Sequence, residues 1–346
     1  MTRVVKVKSA ILHILRIVGY KIIDETLIIV ILSKIAKHFK QMQYRWNILH
    51  NTWSLVKRHI LILDRYEDVR LIAPTNLDSM EFIVFKGNSV MCNSKYKQNH
   101  IYARDEMQDF RYKFKNEYRL SYLGHIFTLK LRPATCDLLN EWLVYDVNDI
   151  DKITNSDSVY FDPPHVIVFD MDSTLITDEE EVQIRDPTIY QSLNDLRELN
   201  CVLCLWSYGH REHVVHSLEK VKLKGYFDII LSEGRRVGEY KVKEEQDTHY
   251  DVFYFSTPFY LDVTEVKNIP KSPRVVLWYL QKHKIGLFKT ITLVDDLFDN
   301  NINYDNFVNL KTCPVPVDDW DKWHKHIVRY IKRYNDTFRF DKNNLL

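Results

Sequence analysis

The sequence predicts an α/β protein whose second half, residues 161–346, forms a parallel sheet, preceded by a mainly helical or mixed region, residues 1–160. Two observations lead to this prediction. From residue 165 onward, short apolar runs alternate with amphipathic stretches, the pattern of a parallel sheet covered on both faces. Residues 1–60 instead carry apolar side chains at helical spacing. A polar stretch that ends at Pro163 and Pro164 marks the boundary near residue 160.

The first half contains two helical stripes and one strand. The stripes are Ile11, Ile14, Leu15 and Val18, and then Leu27, Ile28, Ile31, Leu32, Ile35 and Phe39. The run Met80 to Phe85, followed by Lys86-Gly87-Asn88, predicts a strand and a turn. The longest apolar stretch, Leu27 to Leu32, falls well short of the roughly 20 residues of a membrane-spanning helix. The sequence therefore predicts no transmembrane span.

The second half predicts five strands and four helices in order. The strands are 166–169, 201–206, 227–231, 290–294 and 307–310, and the helices are 188–200, 210–222, 272–283 and 318–334. Between the third strand and the third helix, the runs 251–255 and 259–263 predict a hairpin that turns at Thr257-Pro258. Ligands of parallel sheets bind at the carboxyl ends of the strands, so functional residues are expected directly after these runs.

Charge is unevenly distributed along the chain. The whole chain carries 48 Lys and Arg against 47 Asp and Glu, a net charge of +1, which identifies no partner. Residues 1–60 carry 11 basic and 2 acidic residues, or +9, which leaves −8 for the remainder. This basic segment suits an anionic partner such as DNA, or contact with the acidic body; a solvated helix face is the alternative.

The five cysteines are scattered and predict neither a disulfide framework nor a zinc site. Cys201 and Cys204 have the spacing of a redox pair, but they lie within an apolar run, which favours a buried strand. The chain is therefore expected to be reduced and intracellular.

Polar residues follow the predicted strands as expected for a catalytic site. Asp170, Asp172 and Thr174 follow the first strand, and Ser207 ends the second. Lys271 precedes the third helix and offers a cation to a phosphate. Asp295 and Asp296 follow the fourth strand and provide oxygen ligands for a hard cation, with Asp299 and Asn300 as weaker candidates nearby.

These four motifs in this order resemble those of the haloacid dehalogenase superfamily of phosphatases. The resemblance covers residues 165–311 and implies a Rossmann-like parallel sheet and Mg²⁺ as cofactor. It implies that Asp170 attacks phosphorus and that Asp172 acts as general acid and base and binds Mg²⁺ through its backbone carbonyl. Ser207 and Lys271 would hold the phosphoryl group. Asp296 is the preferred third metal ligand, and Asp295 would anchor Lys271 or share the metal.

Segment lengths predict little or no cap over this site. Only residues 175–206 separate the first two motifs, and a helix and a strand account for most of them. An open site admits a macromolecule, which favours a phosphoprotein substrate over a metabolite. The segment after Thr174 forms a short flap that carries four acidic residues: Asp178, Glu179, Glu180 and Glu181. Thr174 and these four acids are candidate substrate contacts. The alternative for the flap is a solvated acidic loop without a role in binding.

A closer resemblance is to the baculovirus 38-kDa nucleocapsid-assembly proteins. It rests on the segments 169–176, 206–209 and 226–234 and on the basic N-terminal region. It implies a viral protein of the host nucleus and the virion nucleocapsid, with nucleocapsid proteins as partners and a basic, Arg-rich DNA-condensing protein as substrate. Dephosphorylation would restore the positive charge of such a protein and its grip on DNA. The alternative is a non-catalytic scaffold that binds DNA or capsid protein through its basic N-terminal region.

Overall fold

Two sheets and the helices around them make up the folded chain in a computed structural model. It describes residues 42–54, 58–87, 95–130, 136–152, 162–177, 182–235, 244–247, 252–258 and 271–338. The helical stripes predicted within residues 11–39, and with them most of the basic segment, lie outside these ranges.

The first sheet has six strands in the order β4-β1-β3-β2-β5-β6. Its strands are β1 Gln43–His50, β2 Ile60–Leu63, β3 Phe82–Lys86, β4 Lys97–Arg104, β5 Ile126–Thr128 and β6 Val144–Asp146. The helices of this region are α1 Pro74–Ser79 and α2 Met107–Tyr118, with 3-10 turns at Tyr66–Leu71, Asp137–Asn140 and Val147–Lys152. Strand β1 pairs antiparallel with β3 and β4, whereas β3, β2, β5 and β6 run parallel to one another. The strand predicted at residues 80–85 is confirmed as β3.

The prediction that residues 1–60 are mainly helical is wrong for their described part, residues 42–54 and 58–60. Gln43–His50, which falls in the segment predicted as helix, is strand β1. Four consecutive residues, Trp46 to Leu49, are buried because β1 pairs on both edges and packs on both faces. Such a continuous buried run lacks the alternation of a half-exposed strand, so periodicity cannot distinguish it from a helix.

The second sheet has seven strands in the order β10-β11-β9-β8-β7-β12-β13. Its strands are β7 His165–Phe169, β8 Cys201–Ser207, β9 Ile229–Arg235, β10 Glu244–Asp247, β11 Val252–Pro258, β12 Ile291–Asp295 and β13 Asn306–Asn309. Its helices are α3 Thr188–Glu198, α4 Arg211–Lys220, α5 Pro273–Lys282 and α6 Trp320–Thr337. All neighbouring strands run parallel except β10 and β11. The predicted alternation of strands and helices is confirmed.

The predicted hairpin is correct in kind but wrong in place. Strand β11 runs to Pro258, so the chain does not turn at Thr257-Pro258. Its antiparallel partner is the preceding strand β10, and β11 joins the sheet beside β9. The second predicted strand, residues 259–263, lies outside the described residues.

The two sheets share a core. Alternate residues of β7 face opposite sides, with Val166 and Val168 in one hydrophobic cluster and Ile167 and Phe169 in another. The first of these clusters also contains residues of α2, of α5 and of the first sheet, so α2 and α5 lie between the sheets. Helices α3, α4 and α6 cover the outer face of the second sheet. The domain boundary predicted near residue 160 lies within residues 153–161, which are outside the described ranges, so it stays a prediction.

The cysteines in the described ranges are buried: Cys136, Cys201, Cys204 and Cys313. Cys201 and Cys204 lie in β8, as predicted, and burial raises the pKa of both thiols, which opposes redox reactivity. Within the residues that the structure covers, no helix has both the length and the apolar character needed to cross a membrane.

Candidate active site

The candidate site lies at the carboxyl edge of the second sheet, where the strand order reverses. Asp170 directly follows β7, and Asp295 ends the adjacent strand β12. Ser207 ends β8, which pairs with the other side of β7. After β7 the chain adds β8 and β9 on one side, and it later returns to place β12 on the other side of β7. The crevice at such a reversal of strand order is the usual ligand site of an open parallel sheet.

Asp170 is the best-connected side chain of the site. Its Oδ2 accepts a hydrogen bond from Thr174 Oγ1 at 2.9 Å, and its Oδ1 accepts one from Lys271 Nζ. All three side chains are buried. Burial and the nearby Asp295 raise the pKa of Asp170 to about 7, against the opposing charge of Lys271. Thr174 holds this carboxylate, and the substrate contact predicted for Thr174 stays a prediction.

A tight turn carries the chain from Asp170 to the flap. The backbone N–H groups of Thr174, Leu175 and Ile176 all point at the carbonyl of Met171, at 2.9–3.3 Å. Ser173, in the middle of the turn, has a φ of 60°, the left-handed conformation that non-glycine residues seldom adopt. The turn brings Thr174 back beneath Asp170 and directs Asp172 toward β8.

Lys271 links two carboxylates. Its Nζ donates to Asp295 Oδ2 at 2.9 Å as well as to Asp170. Burial opposes the charge of Lys271, but Asp170 and Asp295 outweigh it and raise its pKa above the usual value. Asn300 Nδ2 donates to the same Asp295 oxygen at 2.9 Å, and the Leu297 N–H donates to the other at 2.8 Å. Asp295 thus occupies the anchoring position predicted for it.

Asp172 turns away from this cluster toward β8 and α4. Its Oδ2 accepts a hydrogen bond from Ser207 Oγ at 2.8 Å, and its Oδ1 lies 2.7 Å from His213 Nε2. The Gly209 N–H donates to Ser207 Oγ at 2.9 Å. His213 was not predicted from the sequence, although it lies in the first turn of the helix that directly follows Ser207.

Three carboxylates could hold a metal ion. Asp170, Asp295 and Asp296 each offer an oxygen, and these oxygens lie within 4.8 Å of one another. The side chain of Asp172 contacts Ser207 and His213 instead. Binding of a metal ion by the backbone carbonyl of Asp172 stays a prediction. Carboxylate oxygens are hard ligands of the kind that Mg²⁺ prefers. Asp299, a weaker candidate, is exposed to solvent.

A buried arginine ties the turn to the carboxyl-terminal helix. Arg185 Nε and Nη2 donate to the two carboxylate oxygens of Asp319 at 2.9 and 3.1 Å. Its Nη1 donates to the carbonyls of Ser173 at 3.2 Å, Thr174 at 3.5 Å and Lys311 at 3.0 Å. No motif pointed to Arg185, because its partners lie up to 134 residues away in the sequence.

The two ends of the flap pair with each other in antiparallel orientation. Ile176 pairs with Ile184, and the Thr177 N–H donates to the Gln183 carbonyl at 3.0 Å. The four flap acids predicted as substrate contacts, residues 178–181, lie outside the described residues. Lys267, a second basic residue close to Lys271 in the sequence, also lies outside the described residues.

Comparison with known proteins places this chain among viral proteins. Residues 44–339 match the family described as "Protein of unknown function (DUF705)". The chain belongs to this family. A 41.0 kDa protein of Cryptophlebia leucotreta granulosis virus, from the P143-LEF5 intergenic region, is 62% identical over 98% of this chain and 99% of its own length.

Two further relatives come from nuclear polyhedrosis viruses. The 38.0 kDa protein of the P143-LEF5 intergenic region of Autographa californica nuclear polyhedrosis virus is 38% identical over 86% of this chain and 98% of its own length. A 36.0 kDa protein of Orgyia pseudotsugata multicapsid polyhedrosis virus is 37% identical over 87% and 99%, respectively. The predicted relation to the baculovirus 38-kDa proteins is thereby confirmed at the level of the family. These descriptions carry no activity, so catalysis has to be argued from the site.

Proposed function

We propose that this viral protein is a Mg²⁺-dependent phosphatase of the haloacid dehalogenase type that acts on a phosphoprotein. The observation that carries the proposal is the buried cluster around Asp170. A carboxylate at the end of a central parallel strand is held by Thr174 and Lys271, and a second carboxylate, Asp172, stands two residues away. A phosphatase that forms an aspartyl-phosphate needs these two groups, one as nucleophile and one as acid and base.

The site is suited to Mg²⁺. Asp170, Asp295 and Asp296 bring three carboxylate oxygens together, and these would hold the ion with the Asp172 carbonyl. When bound, the cation supplies positive charge against the phosphoryl oxygens and so reduces their repulsion of an incoming carboxylate. Lys271 contributes a second, fixed positive charge at the same place, since its Nζ already bridges Asp170 and Asp295.

The side chains of the protein divide the chemistry between them. An oxygen of Asp170 bonds to phosphorus as the bond from phosphorus to the leaving oxygen breaks. Asp172 gives that oxygen a proton, and it then takes a proton from the water that attacks the aspartyl-phosphate and frees Asp170. Ser207 Oγ and Lys271 Nζ hold the phosphoryl oxygens during the transfer. Each step leaves atoms and charges balanced, and both aspartates return to their starting states.

The openness of the site favours a macromolecular substrate. Helix α3 and strand β8 account for half of the chain between Asp172 and Ser207, and the remainder is short for a cap domain. The described part of the later insertion, β10 and β11, extends the sheet beyond β9. The short connection between the first two motifs therefore supports a phosphorylated protein side chain as the proposed substrate. The acidic flap at residues 178–181 favours an Arg-rich substrate, and a DNA-condensing protein that acts during nucleocapsid assembly in the nucleus fits that chemistry.

Phosphate release tests the proposal. Purified full-length protein is incubated with Mg²⁺ and an Arg-rich phosphopeptide, with free phosphoserine in parallel. We expect release from the peptide that EDTA abolishes and that Asp170→Asn eliminates, because this nearly isosteric change removes the nucleophile but preserves its size. Glu198→Gln is the control, since it removes an exposed carboxylate at the end of α3, outside the site, and should leave the rate unchanged.

The opposite result would favour a different function. If folded, Mg²⁺-loaded protein releases no phosphate from either substrate, the phosphatase proposal fails. The alternative is then a nucleocapsid scaffold whose basic residues 1–60 bind DNA or capsid protein, which salt-dependent DNA binding by the full chain would test.

A further inference from the structure

The Asp172 carboxylate has a second side-chain partner that its motif does not contain. His213 Nε2 lies 2.7 Å from Asp172 Oδ1, while Ser207 Oγ donates to Oδ2 at 2.8 Å. The carboxylate oxygen can only accept, so the imidazole proton is on Nε2 and His213 donates. Both side chains reach the surface, with Asp172 31% and His213 42% exposed, so the pair sits at the mouth of the site.

Gly209 makes room for this imidazole. A Cβ at position 209 would stand 2.6 Å from His213 Cδ2 and 3.1 Å from Ser207 Oγ. Real Cβ atoms do not approach other atoms as closely as the first of these distances, so the ring packs directly on the glycine backbone. The Gly209 N–H also donates to Ser207 Oγ at 2.9 Å. The turn after β8 thus orients both partners of Asp172.

We propose that His213 is a positioning residue that fixes the general acid Asp172 for protonation of the leaving group. This inference rests on the phosphatase function proposed above. Ser207 is expected to turn its hydroxyl from Asp172 to a phosphoryl oxygen when substrate binds. His213 then remains as the side chain that holds Asp172, through Oδ1, and Oδ2 is released to face the leaving oxygen.

The proton follows a defined route in this arrangement. Asp172 carries its proton on Oδ2, and Oδ1, as the carbonyl oxygen, accepts the hydrogen bond from His213. The Oδ2 proton passes to the leaving oxygen as the bond from that oxygen to phosphorus breaks and the Asp170 oxygen bonds to phosphorus. In the second step, Oδ2 takes a proton from water as the water oxygen bonds to phosphorus and the bond from phosphorus to the Asp170 oxygen breaks, which restores the Asp170 carboxylate. The His213 proton is not transferred in either step.

A positioning role for the acid predicts selectivity by leaving group. A serine alkoxide is a poor leaving group and needs a proton from Asp172, whereas p-nitrophenolate departs without one. The kcat/KM value reports the first irreversible step, the attack by Asp170, for both substrates. Loss of His213 should therefore affect the serine phosphate far more than the aryl phosphate. A role limited to folding would affect both equally.

The test compares three variants of the full-length protein on two substrates. His213→Leu removes the donor, His213→Gln keeps an amide N–H at similar reach, and His216→Leu alters an exposed histidine on the same helix. General acid catalysis contributes about 10²- to 10⁴-fold, so we expect His213→Leu to lower kcat/KM for a phosphoserine peptide by about tenfold or more. For p-nitrophenyl phosphate, the loss should stay below about threefold. His213→Gln should recover most of the peptide activity, and His216→Leu should match wild type.

Each outcome has a distinct meaning. An equal loss on both substrates, or full peptide activity in His213→Leu, overturns the positioning role while the phosphatase function stands. No release by wild-type protein from either substrate overturns the phosphatase function and this inference with it. A selective loss that glutamine restores supports both.

Discussion

Replacing Arg185 by methionine is expected to lower the free energy of unfolding by about 3 kcal/mol. The Arg185 side chain is 1% exposed, and methionine fills a similar volume without the charge. The change removes the paired hydrogen bonds to Asp319 and the donor shared by the carbonyls of Ser173, Thr174 and Lys311. Breaking a buried ion pair by removing one partner typically costs about 3–5 kcal/mol.

The exposure of Asp319 places the estimate at the lower end of that range. Asp319 is 25% exposed, so water can replace part of the lost interaction, and Trp323 Nε1 still donates to it at 3.0 Å. The carbonyls of Ser173 and Thr174, which are buried residues, also lose the donor that Arg185 provides. A buried group left without its partner costs about 1–3 kcal/mol, which agrees with a total near 3 kcal/mol after partial solvation.

Urea unfolding followed by far-ultraviolet circular dichroism measures the difference. Arg197→Met is the matched control, because Arg197 and Asp228 are 39% and 40% exposed and 3.4 Å apart, and exposed pairs contribute about 0–1 kcal/mol. A double-mutant cycle with Asp319→Asn should give a coupling of at least about 1 kcal/mol. If Arg185→Met unfolds within about 1 kcal/mol of wild type, or costs no more than Arg197→Met, Arg185 does not hold the turn.

Three further predictions concern the site and the core. Lys271→Met should reduce phosphate release about 100-fold or more, as loss of a charged donor to a transferring group does, while calorimetry shows Mg²⁺ binding no weaker than in wild type. A weaker metal affinity would contradict this. Gly209→Ala should displace the His213 ring and reproduce the leaving-group selectivity of His213→Leu; unchanged peptide kinetics would show that the ring tolerates the Cβ. Burial lowers the pKa of His165 from 6.5 to about 4, so below pH 6.5 the unfolded chain binds a proton that the native protein excludes. Stability should therefore fall by roughly 2 kcal/mol for this residue between pH 7 and pH 5, and urea unfolding of His165→Asn should show a smaller fall.

Much of the second half of the chain was predictable because its signals are local. The strands of the second sheet that were predicted are short apolar runs. The helices show amphipathic spacing within one continuous stretch. The candidate catalytic residues were predictable for the same reason. Asp170, Ser207 and Asp295 follow or end their strands, and parallel strands bring their carboxyl ends to one edge.

The errors occurred where packing decides the structure. Gln43–His50 forms a strand because partners on both edges and both faces bury it, and nothing within eight residues encodes those partners. Strand β11 pairs with β10 on one edge and with β9 on the other, and this pairing depends on the neighbouring sheet edge rather than on local sequence. Helix α2 likewise fills the layer between two sheets, which no local pattern foretells.

The sequence alone determined the order of the five predicted strands and four predicted helices in residues 165–334 and the residue types at the sheet edge, because both are properties of short segments. Only the tertiary structure decided which side chains work together. Arg185 meets Asp319 across 134 residues, and His213 meets Asp172 across 41. Such contacts depend on how the helices pack against the sheet, which brings together residues that are distant in the sequence. The side chains that orient the candidate catalytic turn therefore could not be identified from the sequence.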